Sequence, residues 1–379
     1  MPHLEIKPVV TNRDRDAFIA VYRHIYAGNQ LARIPLDIDM KSALDPRRSS
    51  FLKDNPNAAW LALHDGVPVG RIMVIEDRGH LARHADGVGH FGYLEFIEDS
   101  AVLSGLLETA SGWLRQRGLQ RAMGPLSPSI NHETGLLVDG FNSPPAYMMN
   151  YAHPYYGPAL EAQGFRKVVD LFSFTCTTDR ASHPAGVTQL LERIRNKPEL
   201  RVRTLDPKHY RRDIELLVDI YNDGWSQNWG SVPITTSEAH ELGSLLRPLI
   251  SPHWVNFVEL DGEPIAVTLQ MPDLNEATAD LNGHLLPFGW VKLLHRMRRP
   301  TVRNSRMLML GVRQAWQQRS AGPMAALLLI DASFAAANRT GITTAELGWV
   351  LETNKAILAV IDKFAITARK TYRIYEKAI

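Results

Sequence analysis

The chain carries one structural unit twice, and this duplication limits the folds open to it more than any other feature. The run Trp60-Leu-Ala-Leu-His-Asp-Gly-Val-Pro-Val-Gly70 is matched by Val255-Asn-Phe-Val-Glu-Leu-Asp-Gly-Glu-Pro-Ile-Ala266, about 196 positions later. Each is an apolar strand, an Asp-Gly turn, one residue, a proline and a second apolar strand, which is the strongest short-range hairpin pattern. Upstream, a helix from Arg15-Asp16 to Ile25-Tyr26 answers one from Arg212-Asp213 to Ile220-Tyr221. Downstream, Ala162-Gln-Gly-Phe165 answers Asp362-Lys-Phe364. A repeat of this period gives two domains of one fold rather than a solenoid, divided here as 1–180 and 181–379. At 379 residues each half is long enough for its own core.

Local patterns set the same element order in both halves. The first reads strand Leu4–Val9, helix Arg13–Tyr26, the hairpin, strand His90–Ile97, helix Ser100–Arg117 and strand Arg121–Gly124, then a short helix at Pro158–Gln163 and strand Lys167–Cys176. Asp179–Gly186 is polar with His and Pro and reads as a linker. The second reads strand Leu200–Leu205, helix His209–Asn222, the hairpin, strand Arg306–Val312, helix Pro323–Asn338, strand Thr343–Val350 and helix Asn354–Phe364. Strands alternating with helices behind a hairpin give an α/β fold with a mixed sheet. The lone cysteine, Cys176, lies in an alternating strand and reads as buried structure in a reducing compartment. The N-terminal residues lack the apolar core of a signal peptide, so the chain is expected to be cytoplasmic.

Charge is distributed unevenly. Leu281–Ile330 contains no acid and eight basic residues, Lys292, Arg296, Arg298, Arg299, Arg303, Arg306, Arg313 and Arg319, whereas the whole chain is net +2 and the remainder therefore net −6. A single-signed stretch implies an anionic partner such as a polyphosphate, a nucleic acid or an anionic lipid surface. Within it, strand Arg306–Val312 leads through Arg313 and Arg319-Ser320-Ala321-Gly322-Pro323-Met324 into an Ala/Leu-rich helix. Such a helix start presents backbone N–H groups and the positive end of the dipole, a site for a pyrophosphate, and Arg313 and Arg319 would add charge-assisted bonds. The corresponding place in the first half carries Glu95, Glu98 and Asp99. Acids suit a helix start but repel a second anion, so the second half is the anion-binding copy.

The sequence of strand, helix, hairpin, strand, Arg319-x-x-Gly322-x-Met324, helix, strand and Asn354 resembles the GCN5-related N-acetyltransferase (GNAT) superfamily, here as two tandem GNAT-like domains with mixed, splayed central sheets flanked by helices. More distantly the whole chain is similar to bacterial ceramide-synthase-type long-chain-amine N-acyltransferases. The resemblance implies an acyl-CoA donor with its pyrophosphate on Arg313, Arg319, Ser320, Ala321, Gly322 and Met324. Its pantetheine arm would lie between the strands Arg306–Val312 and Thr343–Val350 beside Asn354, with a backbone N–H near Trp349 or Val350 as oxyanion donor. No metal is called for. The superfamily turn ordinarily ends in Gly or Ala where this chain has Met324. A tyrosine ordinarily follows the Asn by seven residues as acid for the leaving thiolate, and here that position is Ile361. Ala365-Ile366 stands in place of the following Gly-Phe pair. In the first half Leu160 takes the tyrosine's place.

Acyl transfer to an amine needs a base, an oxyanion donor and a proton for the thiolate. Glu346, in an apolar strand, and Glu352, at the strand-to-helix step, are the candidate bases; Tyr372 and Tyr375 are candidate acids. The long segment 124–156 between strand and helix reads as functional or interfacial. Within it Asn131, His132, Glu133, Tyr147, Tyr151 and Tyr155 are candidate ligands of an amine acceptor, the rival reading being a rigid arm. Trp225 and Trp229 are candidates for an aromatic wall. Around 289–299, Trp290, Leu293, Leu294 and Met297 recur at helical spacing among cations, the pattern of a helix lying on the inner face of a membrane; packing on a sheet with a solvated basic edge is the alternative. The function expected is N-acylation of a primary amine, long-chain and sphingoid-like. A tandem domain that binds acyl-CoA or a partner without turnover and an aminoacyl-tRNA-dependent transferase are the alternatives, although no interleaved basic–aromatic pattern points to nucleic acid. Oligomeric state is not legible.

Overall fold

The computed structural model describes residues 3–247, 251–299, 301–364, 366 and 369–379. The chain forms two compact units. The first contains Met1–Asp170, Thr278–Gly289 and Lys370–Ile379, and the second Leu171–Ala277 and Trp290–Arg369.

Both hairpins form as the dipeptides require. Asp65 and Gly66 have φ of 48° and 84°, and Asp261 and Gly262 have 50° and 83°, the pair of left-handed residues that matches the strand twist. The duplication extends to a bulge. The ladder slips between Ala62 and Leu63 opposite Pro68, and between Val258 and Glu259 opposite Pro264, where each proline lacks the N–H of a regular ladder. The first helices correspond through a different residue than the sequence match implied. Buried Asp14 accepts from the Thr11 N–H at 2.9 Å and from Lys7 Nζ at 2.6 Å. Buried Asp213 likewise accepts from the Asp206 N–H at 2.9 Å and from Arg203 at 2.8 Å. Asp14, not Asp16, is therefore the counterpart of Asp213; Asp16 pairs with Lys41 on the surface.

In the first unit the strands run Leu4–Pro8, Asn57–His64, Val67–Ile75, Val88–Phe96 and Arg121–Gly124, all antiparallel except the last, parallel pair. Phe18, Ile19 and Val21 of helix Asn12–Ile25 pack on Leu61, Leu63, Met73 and Ile75 of one sheet face. Helix Ser100–Gln116 covers the other, where a Cβ on Gly70 would meet Val102 and Leu106. In the second unit the order is Leu200–Thr204, Val255–Leu260, Glu263–Pro272, Asn304–Val312, Thr344–Leu351 and then Leu171–Thr177. Helix Ala321–Arg339 is long and apolar enough to cross a membrane, yet most of its residues are buried against the sheet with Val258, Ile265, Met307 and Leu347.

Each unit is completed by a strand that chain order assigns to the other. Tyr375–Ala378 pairs with Arg121–Gly124 in the first unit, and Leu171–Thr177 pairs with Thr344–Leu351 in the second. Compact units therefore do not follow a cut at 180/181, because a strand goes where a ladder is open to receive it. The C-terminal strand, Arg369–Ala378, was not expected from the sequence. The segment read as a linker begins helix Ala185–Arg195, in which Val187, Leu191 and Ile194 are buried at helical spacing. Ala365, expected in place of a Gly, lies outside the described residues.

Candidate active site

The second unit opens a cleft in its own sheet. Strands Asn304–Val312 and Thr344–Leu351 are parallel neighbours from Asn304↔Thr344 to Met307↔Leu347, and there the pairing ends. Both strands continue beyond that level on their outer partners, each through an irregularity. One ladder shifts between Leu269 and Gln270, leaving Leu308 as an extra residue. The other shifts between Leu347 and Val350. A bulge bends its strand, and two at the same level part the pair. The resulting cleft is lined by Leu308–Val312 on one wall except Met309, and by Leu347–Val350 on the other. It is also lined by Gly224, Trp225 and Asn228, by Gln317, Gln318, Gly322 and Pro323, and by Asn354, Ala356, Ile357, Val360 and Ile361. An opened ladder offers backbone donors and acceptors to an extended ligand.

Glycine is required at three places around this opening, one of them Gly224, where a Cβ would lie 2.5 Å from the Val312 carbonyl oxygen. Gly348 has φ of 152°, and a Cβ there would lie 2.8 Å from the Phe172 carbonyl oxygen. A Cβ on Gly322 would lie 2.3 Å from the Trp316 carbonyl oxygen, so the helix begins tight against the one-turn helix Gln314–Gln317.

Helix Ala321–Arg339 starts at the cleft with neither a side-chain cap nor an acid in its first turn. The Gly322 N–H reaches the Arg319 carbonyl at 3.0 Å, the Met324 N–H makes a long 3.4 Å bond to Ser320, and Pro323 has none. This end of the dipole is accordingly open to an anion. Ser320 and Arg319 are exposed, Ala321 and Gly322 buried. The Arg319 guanidinium lies over the Trp316 ring, 5.0 Å from its centroid. Met324 is half-buried and packs on the apolar core. Arg313 is engaged elsewhere. It donates to the Pro264 carbonyl at 3.0 Å and to Asp219 at 2.6 Å, tying the strand's end to the hairpin and to helix Tyr210–Trp225. Asn354 caps the last helix, accepting from the Ile357 N–H at 3.3 Å. Trp225 reaches the cleft wall, its Nε1 donating to the Leu310 carbonyl at 3.0 Å; Trp229 is not among the lining residues. Ile361 lines the cleft in the tyrosine's stead.

Glu346 is buried, next to Leu347 and thus on the opposite sheet face. Its carboxylate accepts from Ser173 Oγ at 2.5 Å and from Thr175 Oγ1 at 2.7 Å. Its neighbour in the ladder is buried Arg306, whose guanidinium lies 4.7 Å from the Trp349 ring centroid. Burial, with Glu346 nearby, pushes the Cys176 thiol up to about 12, so it stays protonated and unreactive. Glu352 is half-buried just past the strand. Tyr372 and Tyr375 are both fully buried in the first unit, and Tyr375 donates to Glu161 at 3.0 Å. Among the described residues no group of three or more His, Cys, Asp or Glu is arranged to hold a metal ion.

The corresponding place in the first unit is filled by its own chain. Strands Val88–Phe96 and Arg121–Gly124 pair in parallel only as far as His90↔Met123. Beyond, the Tyr93 N–H donates to Ser127 Oγ at 2.8 Å, the Phe96 N–H donates to the Tyr156 oxygen at 3.1 Å, and Tyr155 donates to the Phe96 carbonyl at 2.6 Å. The Tyr156 ring stacks on Phe96 at 4.3 Å. The helix start is closed as well, Asp99 accepting from the Ala101 N–H at 2.8 Å. Tyr156 also donates to buried Glu95 at 2.8 Å. Burial, offset in part by Arg71, pushes the Glu95 carboxyl up to about 7.

These contacts show what the 124–156 segment does within its unit. Tyr155 binds the strand rather than standing free, and Tyr151 donates to the Phe141 carbonyl at 3.0 Å. His132 bonds Ser129 at 2.7 Å and packs near Phe51; Asn131, Glu133 and Tyr147 are each half-buried. Sequence reasoning overlooked Ser173, Thr175 and Tyr156. The hydroxyls at Ser173 and Thr175 alternate with Phe172, Phe174 and Cys176, a polar face on an apolar strand that marks a buried polar partner.

No protein-family model matches the chain. It is 36% identical over 381 residues to bacterial ceramide synthase of Caulobacter vibrioides, covering 99% of this chain and 98% of that protein. It is 35% identical over 377 residues to protein YghO of Escherichia coli K12, covering 99% and 95%. Among solved structures, a tandem GNAT protein from the clavulanic acid biosynthesis pathway matches with a TM-score of 0.58 at 12% identity, covering 99% and 98% of the two chains. A GCN5-related N-acetyltransferase from Sphaerobacter thermophilus matches with a TM-score of 0.52 at 13% identity, covering 99% and 95%. The structural matches show that the fold is that of tandem GNAT proteins, and the full-length sequence match shows the family: the chain belongs to the acyltransferase family of bacterial ceramide synthase.

Proposed function

We propose that this acyltransferase takes its acyl group from a CoA thioester held in the cleft of the second unit and transfers it to a primary amine with a long, sphingoid-like chain. The observation that carries this is the opened strand pair running up to an uncapped, acid-free helix start. An extended arm fits the ladder edges and a pyrophosphate fits the helix end, with Arg319 near it. The first unit supports the reading by contrast, because Tyr155, Tyr156 and Asp99 occupy the equivalent groups; it is read as the copy that does not take CoA. The long-chain acceptor rests on the relative named bacterial ceramide synthase.

In the reaction the amine nitrogen attacks the thioester carbonyl, a C–N bond forms, the C–S bond breaks, and the nitrogen's proton passes to a base. Glu346 is the carboxylate best placed for a structured role, its two oxygens oriented by Ser173 and Thr175; Glu352 stands nearer the last helix. With Ile361 in the tyrosine's position and Tyr372 and Tyr375 buried in the first unit, solvent supplies the proton for the thiolate. An acceptor of this kind resides in a bilayer, so this reading expects the protein to work peripherally at the membrane's inner face. The test is calorimetric titration with CoA, acetyl-CoA and palmitoyl-CoA, followed by mass spectrometry of product from palmitoyl-CoA and a sphingoid amine. Micromolar binding and an amide product are expected; no binding of any CoA species would overturn the reading.

A further inference from the structure

Arg306 belongs to the acid-free basic stretch, yet it is withdrawn from solvent, with only 2% of its surface exposed. A surface partner cannot reach it, and burying a guanidinium is costly unless polar groups surround it. Its surroundings are specific. In the parallel ladder it stands opposite Glu346, itself 6% exposed, whose two oxygens are held by Ser173 and Thr175. From there the side chain reaches past the last paired level, Met307↔Leu347, to the wall of the cleft. Its Nη2 donates to the Gly348 carbonyl at 3.4 Å, and the guanidinium lies 4.7 Å from the centroid of the Trp349 ring.

Those two residues are the ones that need holding. Within strand Thr344–Leu351, Gly348 and Trp349 alone have no register partner on either side. Pairing with Asn304–Val312 ends at Leu347, and pairing with Leu171–Thr177 skips from Leu347 to Val350. Both residues line the cleft, whereas Arg306 does not. A segment released from both ladders lacks the hydrogen bonds that fix its neighbours. Arg306 supplies a donor to one carbonyl and a cation against the next residue's ring, so a single planar side chain holds both. Stability alone does not call for it, because buried charged neighbours are ordinarily no better than apolar residues of the same volume.

We infer that Arg306 is a positioning residue for acyl transfer in the second unit: it fixes the Gly348–Trp349 peptide so that the wall's backbone groups meet the thioester in the reactive geometry, without itself touching the donor. The role rests on the acyl-transfer reading of this cleft. Backbone donors stabilise the charge that develops on a reacting carbonyl only when they are held in place beforehand, and a displacement of about 1 Å costs on the order of a hundredfold in rate. The pyrophosphate end of CoA depends on the helix start instead. Loosening this peptide should therefore lower kcat and leave affinity alone.

The test compares Arg306→Lys and Arg306→Met with the wild-type chain in steady-state assays with palmitoyl-CoA and a sphingoid amine. Calorimetric CoA titration, thermal melts and hydrogen exchange of the amides in 344–351 accompany them. Lysine keeps the charge beside Glu346 but loses the planar fork; methionine keeps the length and loses both. In each, kcat should fall about tenfold to a hundredfold, with the KM for palmitoyl-CoA and the CoA affinity unchanged, and the amides of Gly348 and Trp349 should exchange faster. Should Arg306→Met fail to fold, Arg306→Lys decides. Wild-type kcat in Arg306→Lys would overturn the inference, since a cation of any shape would then serve. A loss carried wholly by KM or by CoA affinity would overturn it too, and both results leave the acyl-transfer reading intact. If the wild-type protein binds no CoA and makes no amide, that reading fails, and hydrogen exchange alone then judges Arg306: faster exchange in Arg306→Lys keeps it as the residue that fixes this peptide, and unchanged exchange overturns that as well.

Discussion

Ser320→Asp should convert the second unit's open helix end into the closed form already present in the first. Ser320 makes no side-chain cap bond, and the first turn of its helix has no acid, whereas Asp99 caps Ala101 at 2.8 Å. An aspartate at position 320 would place a negative charge at the positive end of the helix dipole. For an exposed helix end this stabilises by about 0.3–1 kcal/mol, which for a domain of this size raises Tm by roughly 1–4 °C. The same carboxylate repels a pyrophosphate and competes for Arg319. Loss of a charge-assisted bond costs about 1.5–3 kcal/mol, so CoA affinity should fall about tenfold to a hundredfold. The assay is calorimetric titration with CoA beside a thermal melt. Ser320→Asn, a neutral cap of similar shape, should keep most of the affinity and isolate the effect of charge. Unchanged CoA binding in a folded Ser320→Asp protein, or equal loss in both variants, would refute the reasoning.

Glu346→Gln should lower kcat by roughly 10²–10⁴-fold, the usual range for a lost general base, with CoA affinity unchanged; activity near wild type in steady-state assays would exclude Glu346 from proton transfer. Gly348→Ala, with its Cβ 2.8 Å from the Phe172 carbonyl oxygen, should destabilise by about 1–3 kcal/mol in urea unfolding and weaken CoA binding along with it. The Glu95 carboxyl, pushed up to about 7 from 4.5 by burial, favours the protonated folded state. Its contribution is complete below about 4.5 and is lost as pH rises towards 7, by at most about 1.4 kcal/mol per pH unit. His90, held neutral with its pKa near 3 by burial, works in the opposite sense, costing stability as pH falls below 6.5. The observable is therefore a difference: wild type should lose stability relative to Glu95→Gln between pH 5 and 7 in urea unfolding, and a flat difference would show that Glu95 does not titrate there.

Features written in consecutive residues were legible. Asp65-Gly66 and Asp261-Gly262 form their left-handed turns, the strand–turn–helix around Ser320 sits where the spacing places it, and Asp99 closes the helix start of the first unit. Features that depend on residues far apart were not. Glu346 in sequence is a carboxylate between Ala345 and Leu347; only pairing with Leu171–Thr177 supplies Ser173 and Thr175. Arg313 looked like a phosphate ligand until the fold brought Asp219 within 2.6 Å.

By itself the sequence determined the duplication, the hairpins, the α/β class and which copy has a helix start free of acids, because each follows from spacing within one element or one turn. Tertiary structure decided which strand completes which unit, where the parallel pair parts into a cleft, and that Tyr155 and Tyr156 fill the equivalent opening in the first unit. It also decided that the basic helix buries Leu293 and leaves Trp290 and the loop before it exposed. The physical reason is that unpaired backbone groups and apolar surfaces are satisfied by whatever the folded chain brings within reach, and reach is a property of three dimensions rather than of spacing along the chain.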